Sequence, residues 1–172
     1  MKISIIGVGL IGGSIALKLK KQGIISKVYG IDQNENHLQE ALDLNIIDEI
    51  SNLEEGVKNA DLVIIAIPVD AAKNILPQVL DLITESQTVM DVGSTKHGIV
   101  QVVQKHAMRH RYVSFHPMWG TENSGPKSAQ EDSFSERAAV ICNKEESAND
   151  AVEKVQNIAE ALGMHTIYMD AE

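Results

Sequence analysis

The fold of this chain is decided by the stretch KISIIGVGLIGGS, residues 2–14. A run rich in isoleucine leads straight into the pattern GxGxxG, whose glycines are Gly7, Gly9 and Gly12. The apolar residues that follow return at the spacing of one helix face. This stretch therefore predicts a strand, a glycine turn and the N-terminus of a helix within the first twenty residues.

Each glycine has a separate physical role in such a unit. Gly7 permits the tight turn, Gly9 allows a pyrophosphate to approach the backbone, and Gly12 allows the helix to pack closely on the strand. The first helical residues, Leu10 and Ile11, start a helix whose unpaired N–H groups and positive dipole end attract phosphate. The pattern therefore predicts a dinucleotide-binding turn.

An acidic residue stands where a ribose would need it. A second strand is expected over 27–31, and Asp32 follows it, 20 positions after Gly12. A carboxylate here accepts hydrogen bonds from ribose hydroxyls and repels a 2′-phosphate, and Gln33 and Asn34 add no positive charge. We therefore expect NAD rather than NADP. The alternative is an ordinary strand–helix–strand unit with no ligand.

Composition narrows the class of protein. The 172 residues suit one domain, and 44% hydrophobic with 23% charged residues is ordinary for a globular protein. A net charge of −9 argues against nucleic acid or an anionic membrane as partner. The single Cys142 excludes an internal disulfide, and no signal peptide or membrane-length apolar run is visible. We expect a cytoplasmic protein.

Strand and helix patterns alternate along the chain, which predicts an α/β fold with a doubly wound, mostly parallel sheet of the Rossmann type. Further strands are expected at 45–50, 61–67, 88–92, 112–115, 138–142 and 164–169. Helices are expected at 34–44, 53–58, 70–83 with a kink or restart at Pro77, from the 93–96 turn to about 106, and 147–162, with a polar loop at 123–136.

Ligands of such folds lie outside the carboxyl ends of the strands. This rule selects the glycine turn, Asp32, the residues that follow the 61–67 strand, and the loops at 93–96 and 116–122. The expected cofactor contacts are Gly7, Gly9, Leu10, Ile11, Gly12, Asp32, Ala66, Ile67, Pro68 and Val69.

Two of the selected loops carry side chains suited to proton transfer. His116 follows the sixth strand and is fixed by Pro117, so it is a candidate general base, or else a structural loop histidine. Ser94 ends the neighbouring strand and could reach the same pocket, or Ser94 and Thr95 could simply cap the next helix. Lys96 could offer charge to an anionic substrate or be solvated.

Other polar residues are given no role at this edge. His106 and His110 have the spacing of metal ligands on a helix, but no third ligand is near and the neighbouring Arg109 and Arg111 would repel a cation, so no metal is predicted. Arg109 and Arg111 precede the sixth strand and Arg137 precedes the seventh. All three arginines are therefore expected at the strand N-termini, the edge opposite the ligands.

Three motifs together resemble one family. They are GVGLIGGS at 7–14, DVGSTK at 91–96 and HPMWGTENSG at 116–125. The first is shared with many dehydrogenases, whereas the other two at this spacing are far more specific. The chain resembles the prephenate dehydrogenases, with the closely related arogenate dehydrogenases, over their whole nucleotide-binding half.

The resemblance implies an enzyme of tyrosine biosynthesis that converts prephenate to 4-hydroxyphenylpyruvate by oxidative decarboxylation with reduction of NAD. It implies that His116 accepts the proton of the ring hydroxyl and that Ser94 hydrogen-bonds there and orients His116. Thr121 and Glu122 match positions that line the substrate pocket, and Lys96 is assigned to substrate binding with Ser94.

In two places the chain departs from the family pattern. Trp119 stands where many relatives carry a smaller or different residue. The family continues into a helical domain that dimerises and supplies an arginine for a substrate carboxylate, so residues 1–172 are expected to be the isolated nucleotide-binding domain, with a homodimer only when that domain is present. The alternatives are arogenate dehydrogenase, a dehydrogenase of the β-hydroxyacid or pyrroline-carboxylate reductase type, and an NAD-binding module without turnover.

Overall fold

The computed structural model describes residues 1–171 and contains one eight-stranded sheet. The sheet order, numbered along the chain, is 3-2-1-4-5-6-7-8. The strands are β1 (Lys2–Ile6), β2 (Lys27–Ile31), β3 (Glu49–Ile50), β4 (Leu62–Ile65), β5 (Thr88–Asp91), β6 (Tyr112–Pro117), β7 (Ala138–Cys142) and β8 (His165–Met169).

The chain reverses its direction of winding at β1, which pairs in parallel with β2 on one side and β4 on the other. Strands β3 to β6 and β1 are all parallel, whereas β7 runs antiparallel to β6 and β8 runs parallel to β7. The predicted doubly wound, mostly parallel α/β sheet is thus confirmed. The β7 reversal places the start of β7 beside the end of β6.

Helices cover both faces of the sheet, because the central strands are apolar on both sides. They are α1 (Leu10–Lys21), α2 (Glu35–Asp43), α3 (Leu53–Asn59), α4 (Val69–Leu82), α5 (His97–Val103) and α6 (Asn149–Ala161). Helices α1, α2 and α6 pack on one face, and α3, α4 and α5 pack on the other. None of the helices in residues 1–171 is long and apolar enough to cross a membrane.

Several element boundaries differ from the prediction. Strand β4 ends at Ile65, so residues 66–68 leave the sheet and become available to a ligand. Strand β3 is only two residues long, because Ile46 and Ile47 turn into the core beneath α1 and α2. Helix α4 continues through Pro77, so of the predicted kink or restart there the restart does not occur, and α5 ends at Val103, short of the predicted position.

The segment between β6 and β7, residues 119–136, is anchored to neighbouring helices, and we call it the strap. Its Gln130 N–H donates to Ser14 Oγ of α1 at 2.8 Å, and Lys127 pairs with Glu40 of α2 at 3.0 Å. Phe134 is fully buried and meets the Trp119 ring edge-on at 5.1 Å. The strap therefore ties the end of β6 to the helices beside the glycine turn.

Candidate functional site

Two cavities open at the carboxyl edge of the parallel strands. The first, of about 1030 Å³, lies over the glycine turn between β1 and β4. The second, of about 430 Å³, lies where β6 ends and β7 begins. The strap contributes to both, with Asn123 and Gly125 on the first and Gly120 and Thr121 on the second.

The three glycines of the turn beside the first cavity differ in what an added side chain would meet. Gly7 has φ +96°, and a Cβ there would lie 2.3 Å from the Ala66 carbonyl oxygen. A Cβ on Gly12 would lie 2.4 Å from the Gly7 carbonyl oxygen, so Gly12 permits close packing of α1 on β1. A Cβ on Gly9 meets no protein atom within 4 Å. The space over Gly9 is thus open to a ligand, and this cradle fits a pyrophosphate.

Asp32 is held firmly beside the glycine turn. Its Oδ2 accepts a hydrogen bond from the Val8 N–H at 3.1 Å, and its Oδ1 accepts one from the Asn34 N–H at 2.9 Å. An ionised carboxylate has capacity for about four hydrogen bonds, so both oxygens retain free lone pairs toward the cavity. This arrangement suits the two hydroxyls of a ribose, and its negative charge would repel a phosphate on the 2′ position.

Most of the predicted cofactor contacts line the first cavity. Those that do are Gly7, Gly9, Leu10, Ile11, Asp32, Ala66, Ile67 and Pro68. Gly12 lies beneath the turn, where it serves packing, and Val69 is the first residue of α4. Val69 Cγ2 lies beside Gly93, where it would be 2.8 Å from an added Cβ. Neither Gly12 nor Val69 lines the first cavity.

His116 lies within β6 rather than after it, because β7 pairs with the last residues of that strand. It stands opposite Val140 in the ladder and lines the second cavity. Burial, together with the nearby positive charge of Lys96, lowers the pKa of His116 below its ordinary value. The imidazole is therefore neutral near pH 7, which is the form a general base needs.

One of the two predictions for Lys96 was that its side chain is solvated, and this prediction is wrong. Its ammonium is buried, donates to Asp91 Oδ2 at 2.6 Å, and also donates to the carbonyl of Phe115, the residue before His116. Burial lowers the Lys96 pKa, although the Asp91 carboxylate opposes this. Lys96 thus connects β5 to the end of β6, and neither cavity includes it in its lining.

The Asp91 carboxylate holds three groups around the ends of these strands. Besides Lys96, its Oδ2 accepts from the Gly93 N–H at 2.9 Å, and its Oδ1 accepts from the Tyr112 hydroxyl at 2.7 Å. Burial raises the pKa of Tyr112 well above its ordinary value, so the hydroxyl stays protonated and donates this hydrogen bond. This cluster was not predicted, although an acidic residue at the end of a buried strand was a usable signal.

The remaining predicted side chains are exposed. Ser94 lies on the loop after β5, and its hydroxyl has no hydrogen-bond partner within residues 1–171, so its orienting role toward His116 stays a prediction. The alternative capping role is wrong, since α5 begins with Lys96 as its cap and no side-chain cap bond. Thr121 lines the second cavity, and Glu122 is exposed next to it.

Arg137 lies at the opposite edge from the one predicted. Because β7 is antiparallel to β6, the N-terminus of β7 meets the carboxyl end of β6, and Arg137 lines the second cavity with His116. A usable signal was the absence of a helical pattern between the two strands, since parallel neighbours need a crossover. Arg109 and Arg111 do lie at the other edge, where they pair with Glu146 and Asp150.

The histidine pair at the far edge has protein partners. His106 Nε2 lies 3.0 Å from Asp81 Oδ1, and His110 Nε2 lies 2.7 Å from Glu85 Oε2. Within residues 1–171 no group of three histidine, cysteine, aspartate or glutamate side chains could hold a metal ion. The pair therefore contributes surface contacts to carboxylates at the edge of the sheet opposite the two cavities.

Comparisons with known proteins agree with this arrangement. Residues 15–168 match the family model described as prephenate dehydrogenase, nucleotide-binding domain. A prephenate dehydrogenase from Bacillus subtilis is 34% identical over 99% of this chain and 47% of its own length. A second, from Lactococcus lactis, is 32% identical over 99% and 47%. The chain spans about half the length of these curated relatives.

A solved structure is also closely similar. The prephenate dehydrogenase of A. aeolicus, in complex with hydroxyphenyl propionate and NAD⁺, superposes with a TM-score of 0.91 at 29% identity, covering 99% of this chain and 60% of that one. The family model covers both motif loops, 91–96 and 116–125, and so favours this family over the β-hydroxyacid and pyrroline-carboxylate reductase types. The chain belongs to the prephenate dehydrogenase family, of which it is a nucleotide-binding domain.

Proposed function

We propose that this chain takes part in the NAD-dependent oxidative decarboxylation of prephenate to 4-hydroxyphenylpyruvate. The observation that carries the proposal is the neutral, half-buried His116 in a cavity at the same sheet edge as the glycine cradle. A base and a dinucleotide site side by side are the two parts that removal of a proton and a hydride from one carbinol requires.

The first cavity suits NAD. The open space over Gly9 accommodates a pyrophosphate, and the N-terminus of α1 offers it unpaired N–H groups. Asp32 would accept from the adenosine ribose hydroxyls. The relative from A. aeolicus carries NAD⁺ in its structure, which supports the same cofactor here. When bound, the nicotinamide supplies the hydride acceptor.

His116 performs the proton transfer. It accepts the proton of the ring hydroxyl as hydride leaves the carbon that bears it, so a carbonyl forms there. The bond to the ring carboxylate then breaks, its electron pair enters the ring, carbon dioxide leaves, and the oxygen takes up a proton to give the phenol. Aromatisation drives this second stage without a further catalyst.

Neighbouring side chains serve the same cavity. Thr121, on its lining, and the adjacent Glu122 are proposed to contact substrate. Ser94 is proposed to hydrogen-bond at the reacting hydroxyl, because it follows β5, which is the strand next to β6. Lys96 acts from beneath, through the Phe115 carbonyl and its charge, rather than by touching substrate.

The curated relatives are about twice as long as the segment they share with this chain. This supports the proposal that turnover also needs the helical dimerisation domain that the family resemblance implies. Arogenate is the competing substrate, and an NAD-binding module without turnover is the competing role. The experiment below separates the three.

The test replaces His116 with Asn in a protein that carries this chain joined to its helical domain. Asn keeps a hydrogen-bonding group but cannot take the proton, so turnover of prephenate should fall by roughly 10²–10⁴-fold. NAD affinity, measured by calorimetry, should hardly change. His110→Asn, at the other edge of the sheet, is the matched control and should keep parental turnover.

Near-parental turnover in His116→Asn would contradict the mechanism. A parent protein that oxidises arogenate but not prephenate would replace the substrate, and one that binds NAD yet oxidises neither would leave only a binding module.

A further inference from the structure

We propose that Arg137 binds a carboxylate of the substrate in the second cavity, at the end of the ring remote from the hydroxyl that faces His116. The inference rests on the proposed function, whose substrate carries two carboxylates at that end. It adds an anion-binding residue from this chain to the arginine that the resemblance attributes to the helical domain.

The antiparallel ladder fixes where Arg137 stands. His116 pairs with Val140 and Pro117 pairs with Ala139, and the Met118 N–H donates to the Ala138 carbonyl at 2.9 Å. Arg137 is the residue immediately before β7. It lies three residues before Val140, which is about 10 Å of extended chain, and at this end of β7 both Arg137 and His116 line the second cavity. A ring with its functional groups at opposite ends and an extended arginine side chain can together bridge that length.

The backbone of Arg137 is held on both sides. Its N–H donates to the Phe134 carbonyl at 3.0 Å, and its own carbonyl accepts from the His165 N–H at 2.9 Å. Phe134 is itself fully buried against Trp119, which forms part of the cavity wall. The base of the side chain is thus well positioned by the protein.

The guanidinium, in contrast, is available. Arg137 is exposed, and within residues 1–171 its side chain has neither a hydrogen bond nor an ion pair. Arg109 and Arg111 differ, since both are buried and pair with Glu146 and Asp150. Of these three arginines, Arg137 alone can turn its charge to a ligand.

Charge and size favour a small anion. The second cavity falls within the roughly 300–1,000 Å³ range of small-molecule sites. Arg137 is the cationic residue of its lining, in a chain of net charge −9. Lys96, the nearby ammonium, is already committed to Asp91. A planar guanidinium can hold a carboxylate through two parallel hydrogen bonds, which fixes the orientation of the ring as well as its charge.

The first arm of the test measures steady-state kinetics in the protein that carries the helical domain, at saturating NAD. Arg137→Gln should raise KM for prephenate roughly ten- to hundred-fold, the value of a hydrogen bond to a charged group, with a smaller effect on kcat. Arg137→Lys should recover part of the loss. KM for NAD should stay at the parental value. Lys58→Gln, an equal loss of exposed charge on α3, is the matched control.

The second arm does not need turnover. Binding of hydroxyphenyl propionate and of its uncharged amide is measured by calorimetry in the same proteins with NADH bound. Arg137→Gln should weaken the acid at least several-fold and leave the amide unchanged. If the parent oxidises no prephenate but this difference is seen, the proposed function fails and the role of Arg137 stands.

The proposal is overturned if Arg137→Gln behaves like Lys58→Gln in both arms. It is also overturned if acid and amide lose affinity equally, since that pattern means a change of shape rather than the loss of a charge contact.

Discussion

The two cavities share one edge of one sheet, yet different parts of the chain build them. The first cavity, called the nucleotide cavity below, is centred on the glycine turn, the start of α1 and Asp32, which all lie within the first 32 residues. Residues 66–68 and part of the strap complete its wall. The second cavity is made by residues brought together from the end of β6, the strap and the position just before β7. The first depends on local conformation, and the second depends on long-range strand pairing.

We therefore expect ligand binding in the nucleotide cavity to be most sensitive to added atoms. We expect the function of the second cavity to be most sensitive to the loss of a charge or a proton acceptor. Backbone turns are disrupted by an added methyl group, whereas positioned side chains are disabled by removal of a proton acceptor or a charge. Three further experiments examine the contrast, in order of decreasing expected effect.

The largest effect is expected from a methyl group under the turn. Gly12→Ala places a Cβ 2.4 Å from the Gly7 carbonyl oxygen and 2.8 Å from Ile5 Cγ2, so α1 must move off β1. We expect a loss of about 3 kcal/mol in the free energy of unfolding, measured with urea, because the nearest clashing atom belongs to the backbone.

Gly9→Ala is the matched control for that variant. Its φ of −82° suits alanine, and the new Cβ meets no protein atom within 4 Å, so stability should stay close to parental. NAD binding should nevertheless weaken by roughly ten- to hundred-fold, since the methyl group occupies ligand space. Equal stability losses in both variants, or normal NAD affinity in Gly9→Ala, would remove the distinction between packing glycine and ligand glycine.

The next effect concerns the one carboxylate of the nucleotide cavity. The parent should prefer NAD to NADP by roughly ten- to hundred-fold, because Asp32 accepts from ribose hydroxyls and repels a 2′-phosphate. Asp32→Ala should narrow that preference, as measured by calorimetric titration with both cofactors. A parent that binds the two equally would show that Asp32 is occupied fully by Val8 and Asn34.

The smallest effect is a shift along the pH axis. Burial and the Lys96 charge lower the pKa of His116, so the neutral base persists to lower pH and the acid limb of kcat/KM should fall below pH 6.5. The folded chain also binds this proton more weakly than the unfolded chain. The contribution of His116 to stability is therefore complete above about pH 6.5 and lost as the pH falls through the lower folded value.

The measurement follows the imidazole resonances of the chain by NMR across that range, with His116→Asn identifying the signal. A His116 resonance that titrates above pH 6.5 would show that the Asp91 carboxylate outweighs burial and the Lys96 charge together.

The sequence was most informative where one short stretch makes the structure. Gly7 at positive φ, Gly12 beneath the turn and Asp32 after β2 all lie where local patterns placed them. The burial of Lys96 and the position of Arg137 were not predicted, for a common reason. A local pattern does not say that Asp91 will draw an ammonium into the protein, nor that β7 will run antiparallel.

The predicted boundaries of several strands and loops were wrong for a related reason. The apolar run 61–67 reads as one strand, but pairing with β5 ends at Ile65 opposite Asp91. Ile46 and Ile47 have the composition of a strand and instead fill the core next to α1. The strap was predicted as a polar loop because its anchors are single contacts, such as Gln130 to Ser14, that follow no periodic pattern.

The strap limits where this chain can accept insertions and deletions. Surface loops ordinarily accept insertions and deletions, because their ends are fixed and their middles are free. Here Thr121 belongs to the wall of one cavity and Asn123 to the wall of the other, with a single residue between them. An added or deleted residue between them would displace one wall or the other. We therefore expect this chain to accept length changes only in stretches of the strap that face neither cavity.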